Sequence, residues 1–469
     1  MFDSLFRVRV NYRVYVFMCI LIYFAFPDLS IYSYFAIIFS LHQFFLLFYS
    51  IGHVIPIRYL FGVLMCVQML VGPTLAFNGL DAYQHEYSKM RIPEPEYFAY
   101  VIPAVICFIL GLHIKSSGLK GEKIDFLTTA QFVDSNPNLS YVLIGVGFAS
   151  SILADFFSAD LAFIFILIGS FKFIGAFMFL ASDKPLKPLP IIIVFTSILI
   201  SSLGAAMFHD LIIWLIFLGS FLAIKYRPRL RIKLFAVTAF TIFTVIIQLS
   251  KSDYRLAGSQ GEESGIESFA TAYERDKGEN KFYNPETLAK SNIRINQGYI
   301  VTNIMNTVPR IVPFQNGEEM MQILEAAILP RILAPNKLKA GDQEIFKKYT
   351  GLGLSKNTAM GLSSVGDAYI NFGVFGGCVF MFFLGLLYNE VLKAFQRYSK
   401  FYPLLILFAP LVFYYPIRPD CELQTILGHL VKSIFLIYVV MRVWEKIFKI
   451  DLSHPEQTEN KDGIIPSLS

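Results

Sequence analysis

The sequence predicts an all-α, polytopic membrane protein: a bundle of about twelve spanning helices with one large, partly helical loop held outside the cytoplasm. Three observations predict it. Apolar residues fill 55% of the 469 positions and charged residues only 16%, with Phe alone occurring 47 times; soluble domains are about half apolar and a quarter charged. The charges are gathered into short clusters between long apolar runs, many of which reach the ~20 residues that a spanning helix needs. The Lys and Arg residues of the connections also alternate between rich and poor, as cytoplasmic and outer loops do.

The apolar runs lie at 14–27, 31–52, 56–77, 97–114, 140–157, 160–181, 189–207, 209–225, 234–250, 368–391, 402–417 and 425–443. Arg7, Arg9 and Arg13 before the first run imitate a signal peptide. No small-residue cleavage site follows, so the run is expected to stay as the first helix. With the N-terminus inside, the inner loops hold Arg58; Lys115, Lys120 and Lys123; Lys184 and Lys187; the Lys225–Lys233 cluster; Lys393, Arg397 and Lys400; and Arg442, Lys446 and Lys449. The short outer loops carry only Lys89, Arg91 and Arg418. One missed or extra helix would invert the later half of this alternation, so both termini are expected in the cytoplasm.

The chain thus divides into nine N-terminal helices (1–250), a long loop (251–367), three C-terminal helices (368–445) and a cytoplasmic tail (446–469). The loop is expected on the outer face. Its segment 256–290 reads as flexible, and 317–329 as an amphipathic helix with acids in its first turn, ended by Pro330.

The net charge of +5 comes mostly from clusters beside apolar runs and does not make a nucleic-acid surface. The five cysteines, Cys19, Cys66, Cys107, Cys378 and Cys421, include no CxxC pair, so neither a disulfide framework nor a metal site is read. Nucleotide-loop, HExxH, GxSxG and dinucleotide signatures are missing, and no cofactor is expected.

The loop carries cations against the inside bias. They sit in compact motifs: Lys251-Ser-Asp253-Tyr-Arg255 where the ninth helix leaves the membrane, Arg294-Ile-Asn-Gln-Gly298, Pro309-Arg310, and Pro330-Arg331-Ile-Leu-Ala-Pro335-Asn-Lys337. Arg418 stands between Pro416 and Pro419 on the last outer loop. A guanidinium matches phosphate bidentately, and flanking prolines fix where it points. The ordinary alternative for each Arg is an interfacial anchor, a snorkelling chain or a salt bridge. The Gly-rich stretch from Gly361 to Gly377 holds Asp367, Tyr369 and Asn371, with Asp367 and Asn371 on one helix face; capping and small-residue packing would also explain it. Asp420, Glu422 and His429 surround the start of the last helix, where an intramembrane His is uncommon, though a packed, hydrogen-bonded His is its commoner role.

The stretches KSDYR, RINQGYIVTNIMNTVP, LPRILAPNK and GLSSVGDAYINFGVFGG together resemble those of the bacterial oligosaccharide repeat-unit polymerases, the O-antigen (Wzy-type) polymerases, in the superfamily that includes O-antigen ligases. The resemblance runs over roughly 250–445; before that it is architectural. It implies a membrane fold like that of lipid-carrier-dependent (type C) glycosyltransferases and a bacterial inner-membrane location. The donor would be a glycan on undecaprenyl pyrophosphate, transferred to another lipid-linked repeat unit, with the bilayer and a chain-length regulator as surroundings and partner. Pyrophosphate is already a good leaving group, so the chemistry requires neither nucleotide nor metal. Arg255, Arg294, Arg310, Arg331 and Arg418 would stabilise its growing charge, joined by Lys337, Tyr369 and Asn371 as glycan or pyrophosphate contacts. Asp253, Asp367 and His429 are the candidate bases. The chain departs from the family pattern in carrying Asp367 where a GEAYxNFG-like stretch has Glu, and Arg331 and Gly341 stand one residue short of an Arg-x10-Gly spacing. Three other functions remain open from sequence: a ligase moving glycan to a different acceptor; a flippase or transporter of the lipid-linked glycan, which internal repeats would favour and none is seen; and a structural subunit of an envelope complex with the loop as its docking site.

Overall fold

The computed structural model describes residues 10–83, 86–115, 126–157, 159–205, 207–259, 285–329, 337–338, 341–354, 358–446 and 452, without the side chains of 126, 159–161, 248–259, 285, 287, 290 and 294. All regular structure among these residues is helical. Nine of the helices are long and apolar enough to cross a membrane. Two shorter apolar helices, α1 (Tyr12–Ala25) and α9 (Pro188–Gly204), and the short apolar stretch Pro403–Val412 stand at three more of the runs read from the sequence.

Two long helices form the centre, α4 (Glu94–His113) and α16 (Ser363–Tyr398). They touch backbone to backbone because each offers a glycine. A Cβ on Gly111 would come within 2.0 Å of the Phe382 carbonyl oxygen, and one on Gly385 within 2.1 Å of that of Phe108. Small residues are the usual means of close helix approach where lipid supplies no hydrophobic drive. Against this pair pack α2 (Ile31–Ser50), α3 (Ile57–Phe77) and α18 (Leu423–Lys446), while α5 (Phe126–Ser135), α6 (Pro137–Leu153) and α10 (His209–Tyr226) gather around α8 (Phe171–Ala181).

The bundle has two unlike ends. At one, cations bind backbone carbonyls: Lys225 reaches Ser182 O at 2.5 Å, Lys233 reaches Ile51 O at 2.6 Å, and Lys184 reaches Asp134 O at 3.0 Å. Arg58 there donates to the Leu112 carbonyl and, at 2.7 Å, to Asn389 Oδ1. These cations belong to the loops that the charge alternation assigned to one side. At the other end lie the helices of the long loop: α12 (Pro285–Ile295), α13 (Gly298–Thr307), α14 (Glu318–Ile328) and α15 (Gln343–Thr350).

The loop helices dock on irregular backbone. Residues Val67–Val71 of α3 form a π segment, which leaves a carbonyl without its usual partner. Gln297 N–H donates to that carbonyl, Gln68 O, at 3.1 Å. Asn292 donates to Gly72 O at 3.0 Å, and Gly298 allows Pro73 and the Tyr97 hydroxyl to lie against it. In α16 the helix breaks at Gly373, with φ +63°, under the ring of Phe314, and the Ile370 carbonyl accepts from Gln315 N–H at 3.0 Å.

Several boundaries differ from the sequence reading. The ninth membrane run does not end its helix at 250: α11 (Leu230–Ser259) continues to Ser259, because Lys, Arg, Leu and Ala beyond the apolar run still favour helix. The run 402–417 is no single helix; it is a 3₁₀ turn over Pro403–Phe408 and a short α17 (Ala409–Val412), as Pro403, Pro410 and Pro416 dictate. The run 160–181 is α7 (Ala159–Gly169) followed by α8. The amphipathic helix expected at 317–329 is α14, starting after Gly317 at φ +91°. Most of the segment expected to be flexible, 260–284, and the helix stop at Pro330 lie outside the described residues.

Candidate functional site

Two adjoining cavities open at the loop end. The larger, about 410 Å³, lies between Gln297 just before α13, Ile300 of α13, Gly341, the Met360–Gly361 strip and the segment from Arg418 to Thr425. The smaller, about 30 Å³, lies among Glu319 of α14, Phe346 of α15, Asp367 of α16 and Glu422. Met360 and Glu422 line both.

The segment that carries the site is the non-helical stretch between α17 and α18. Its backbone runs hard against Gly361, where a Cβ would come within 2.6 Å of Glu422 N. Arg418 is only 12% exposed at its side chain and pairs with Asp420 at 3.2 Å. Its guanidinium lies 5.3 Å from the centre of the Tyr415 ring. That single ion pair is its only hydrogen bond among the described residues, so most of its donors are left for the cavity. Beside it the Tyr414 hydroxyl donates to Asp210, which also meets His209 Nε2 at 2.6 Å.

Glu422 is held by the Gly341 N–H, at 2.9 and 3.2 Å to its two oxygens, and by the Thr425 hydroxyl at 2.8 Å. Burial raises its carboxyl above the usual value. The Cys421 thiol beside it is pushed up to about 12, first by burial. A cation with spare donors and a carboxylate of raised proton affinity thus face one water-accessible space. Such a pair suits an anionic group and a hydroxyl that gives up its proton.

The residues singled out from sequence fall in several places. Arg418 lines the large cavity. Asp367 lies in the small one behind it, 4% exposed, with Oδ2 accepting from Leu423 N–H at 3.1 Å. Asn371 is engaged on both sides: its amide donates to Asp367 O at 2.9 Å and its oxygen accepts from Met320 N–H at 3.1 Å, tying α14 to α16. Lys337 donates to the Ala326 and Leu329 carbonyls at the end of α14, at 3.1 and 2.7 Å. Arg310 is 56% exposed and pairs with Glu96 at 3.3 Å. Tyr369 is buried between Tyr100 and Phe314, with ring centres at 5.0 and 5.7 Å. His429 lies deeper in α18, its Nε2 within 2.7 Å of Leu411 O and its ring 4.8 Å from that of Tyr415. Asp253 and Arg255 lie on the last turns of α11 and Arg294 on α12, with side chains outside the described residues, as is the whole of Arg331.

Sequence reading named Glu422 without giving it a role, and read Glu319 only as first-turn charge. Glu319 is 8% exposed; one oxygen takes the Tyr349 hydroxyl and Oε2 has no hydrogen-bond partner among the described residues. No local signal marks it, because its cavity is closed by α15, α16 and α18.

The fold and the loop-end cavities define a helical membrane protein with a polar, partly enclosed site at one end of its bundle. Within that class the chain belongs to the family described as a domain of unknown function, DUF8712, whose match covers residues 99–451. No curated protein and no solved structure matches it.

Proposed function

We propose that this protein polymerises lipid-linked oligosaccharide repeat units, as a glycosyltransferase whose donor is a glycan on undecaprenyl pyrophosphate. On this reading the chain crosses the bacterial cytoplasmic membrane twelve times, both termini are cytoplasmic, and the loop end faces outward. The observation that carries the reading is Arg418: a buried guanidinium with unspent donors, facing the same 410 Å³ cavity as the carboxylate of Glu422. The sugar C1–O bond to pyrophosphate breaks and its electron pair leaves with the phosphate, where Arg418 meets the charge. The acceptor hydroxyl oxygen bonds C1 and its proton passes to a carboxylate. Among acids Glu422 and Asp420 line the cavity, so they take precedence over His429 and Asp367 as the group that meets the acceptor. Arg255, Arg294 and Arg331 remain candidates to extend the cationic site.

The test is elongation by the purified protein in nanodiscs, given a short lipid-pyrophosphate-linked repeat unit without nucleotide. A ladder of longer products that weakens in Arg418→Ala, Arg255→Ala, Arg294→Ala and Arg331→Ala supports the polymerase. Transfer only to a different acceptor turns the reading to a ligase. No transfer, with movement of the lipid across liposome bilayers, replaces it with a flippase.

A further inference from the structure

Behind the large cavity three carboxyl groups line one small space. Glu319, Asp367 and Glu422 all line the same space of about 30 Å³. Glu319 Oε2 is buried without a hydrogen-bond partner among the described residues. The groups facing them from each packed element are few. From α15 and the turn before it come Tyr349, Lys348 and Asp342; Lys348 donates to the Tyr349 hydroxyl at 2.7 Å, and Asp342 adds negative charge. From α4 comes Tyr100, whose hydroxyl donates to Val365 O at 2.7 Å. From α18 comes Gln424, whose amide donates to Leu338 O at 2.8 Å. Among the described residues no Lys or Arg lines this cavity. Among the described residues no three His, Cys, Asp or Glu side chains converge to hold a metal ion.

Several carboxylates that share a low-dielectric site cannot all ionise, and one keeps its proton. We propose that Glu319, Asp367 and Glu422 form a shared proton-binding site, with Glu422 as its contact with the larger cavity. Glu422 is the member that lines both spaces. A proton accepted from the large cavity is then held across the cluster instead of on one exposed carboxylate. Burial raises the Glu319 carboxyl as it does that of Glu422. Acids raised in the folded state contribute stability that is full below the ordinary carboxylate range and falls as pH rises through their folded values. The inference stands apart from the proposed reaction. Where that reaction holds, the proton is the one released by the acceptor hydroxyl.

The experiment is an infrared pH titration of the full chain in nanodiscs, with no lipid-linked substrate. Wild type is expected to keep a protonated-carboxyl C=O band at neutral pH. Glu319→Gln is expected to remove part of it and to move the remaining titration down by about one pH unit, since one competing carboxylate is gone. Asp367→Asn and Glu422→Gln are the second and third variants should the first not fold. Absence of the band in wild type, or a band unchanged by every folded variant, overturns the proposal. Because no substrate is present, that result leaves the polymerase reading untouched, and a failed elongation ladder leaves the proton site untouched.

Discussion

Replacing Arg418 tests the large cavity most directly. In the folded protein its guanidinium commits one nitrogen to Asp420 at 3.2 Å and lies over the Tyr415 ring. Arg418 also lines the cavity. Removing one preorganised donor from a developing anion costs ~2.7–4 kcal/mol, about 10²–10³ in rate. Arg418→Ala is therefore expected to slow elongation by at least about 100-fold. The cost to folding is smaller. Breaking a buried pair is severe when it strands a buried charge, but Asp420 is 33% exposed at its side chain and water can solvate it. Lost packing on Tyr415 and the lost pair together cost on the order of 1–2 kcal/mol. Arg418→Lys keeps the charge but not the fork, and falls between, about 10-fold down. The assay is the initial rate of product lengthening at saturating substrate, with melting temperature and gel-filtration profile as controls. If both variants elongate within about threefold of wild type while folded, the cavity is not where pyrophosphate charge develops.

Three further outcomes are expected. Gly385→Val drives a side chain into the Phe108 carbonyl, 2.1 Å from where its Cβ would sit; overpacking costs ~1–3 kcal/mol or more, and the variant should lose its monodisperse peak, whereas Gly145→Ala, with nothing within 4 Å of its Cβ, should not. Asn371→Leu removes the acceptor of Met320 N–H; hydrogen exchange across 318–328 should quicken at least about tenfold, matching the ~1–3 kcal/mol cost of an orphaned buried N–H, and unchanged exchange would show that α14 is held by other contacts. In a cysteine-free background, an impermeant thiol reagent should label Glu318→Cys on intact cells and Lys400→Cys only after the membrane is opened; the reverse order would invert the orientation proposed from charge.

The parts of this fold that depend on local chain chemistry are legible in the sequence. Apolar length marks the spanning helices, and the acids ahead of an apolar face mark α14. The breaks are not legible in the same way. Gly373 sits in a stretch of five glycines, and only the Phe314 ring lying on it and Gln315 bonding the freed carbonyl single it out. The RINQG motif shows the same difficulty at the site. Its Asn296, its Gly298 and the backbone of Gln297 pack against α3, where Gly72 lies against Asn296 and Gln68 O receives Gln297 N–H, while Gln297 also lines the large cavity. A motif that reads as ligand chemistry is here, in three of its five residues, a docking surface for a π segment more than 200 residues earlier. Arg418 is the opposite case: Pro416 and Pro419 flag it locally, and it lines the cavity. Glu319 carries no flag, because its meaning lies in partners on three other helices.

The location of the cavity follows from where the helices fail. Backbone that leaves helical form at membrane depth must be buried in protein or line a polar space, since lipid cannot satisfy its N–H and C=O groups. The prolines at 403, 410, 416 and 419 prevent residues 402–422 from forming one spanning helix, and the chain instead buries Phe413 against Phe61 and Tyr388, and Tyr414 against Trp214, within the bundle. The freed backbone is then satisfied locally: Ile417 N–H bonds Phe413 O at 3.1 Å and Arg418 N–H bonds Tyr415 O at 3.0 Å. The turn that results brings Arg418 and Glu422 to a single space. The same prolines that shorten the eleventh apolar run therefore place the cation and the carboxylate of the site. Replacing Pro416 and Pro419 with Ala should lengthen the helix and empty the cavity of Arg418 without changing either charged residue.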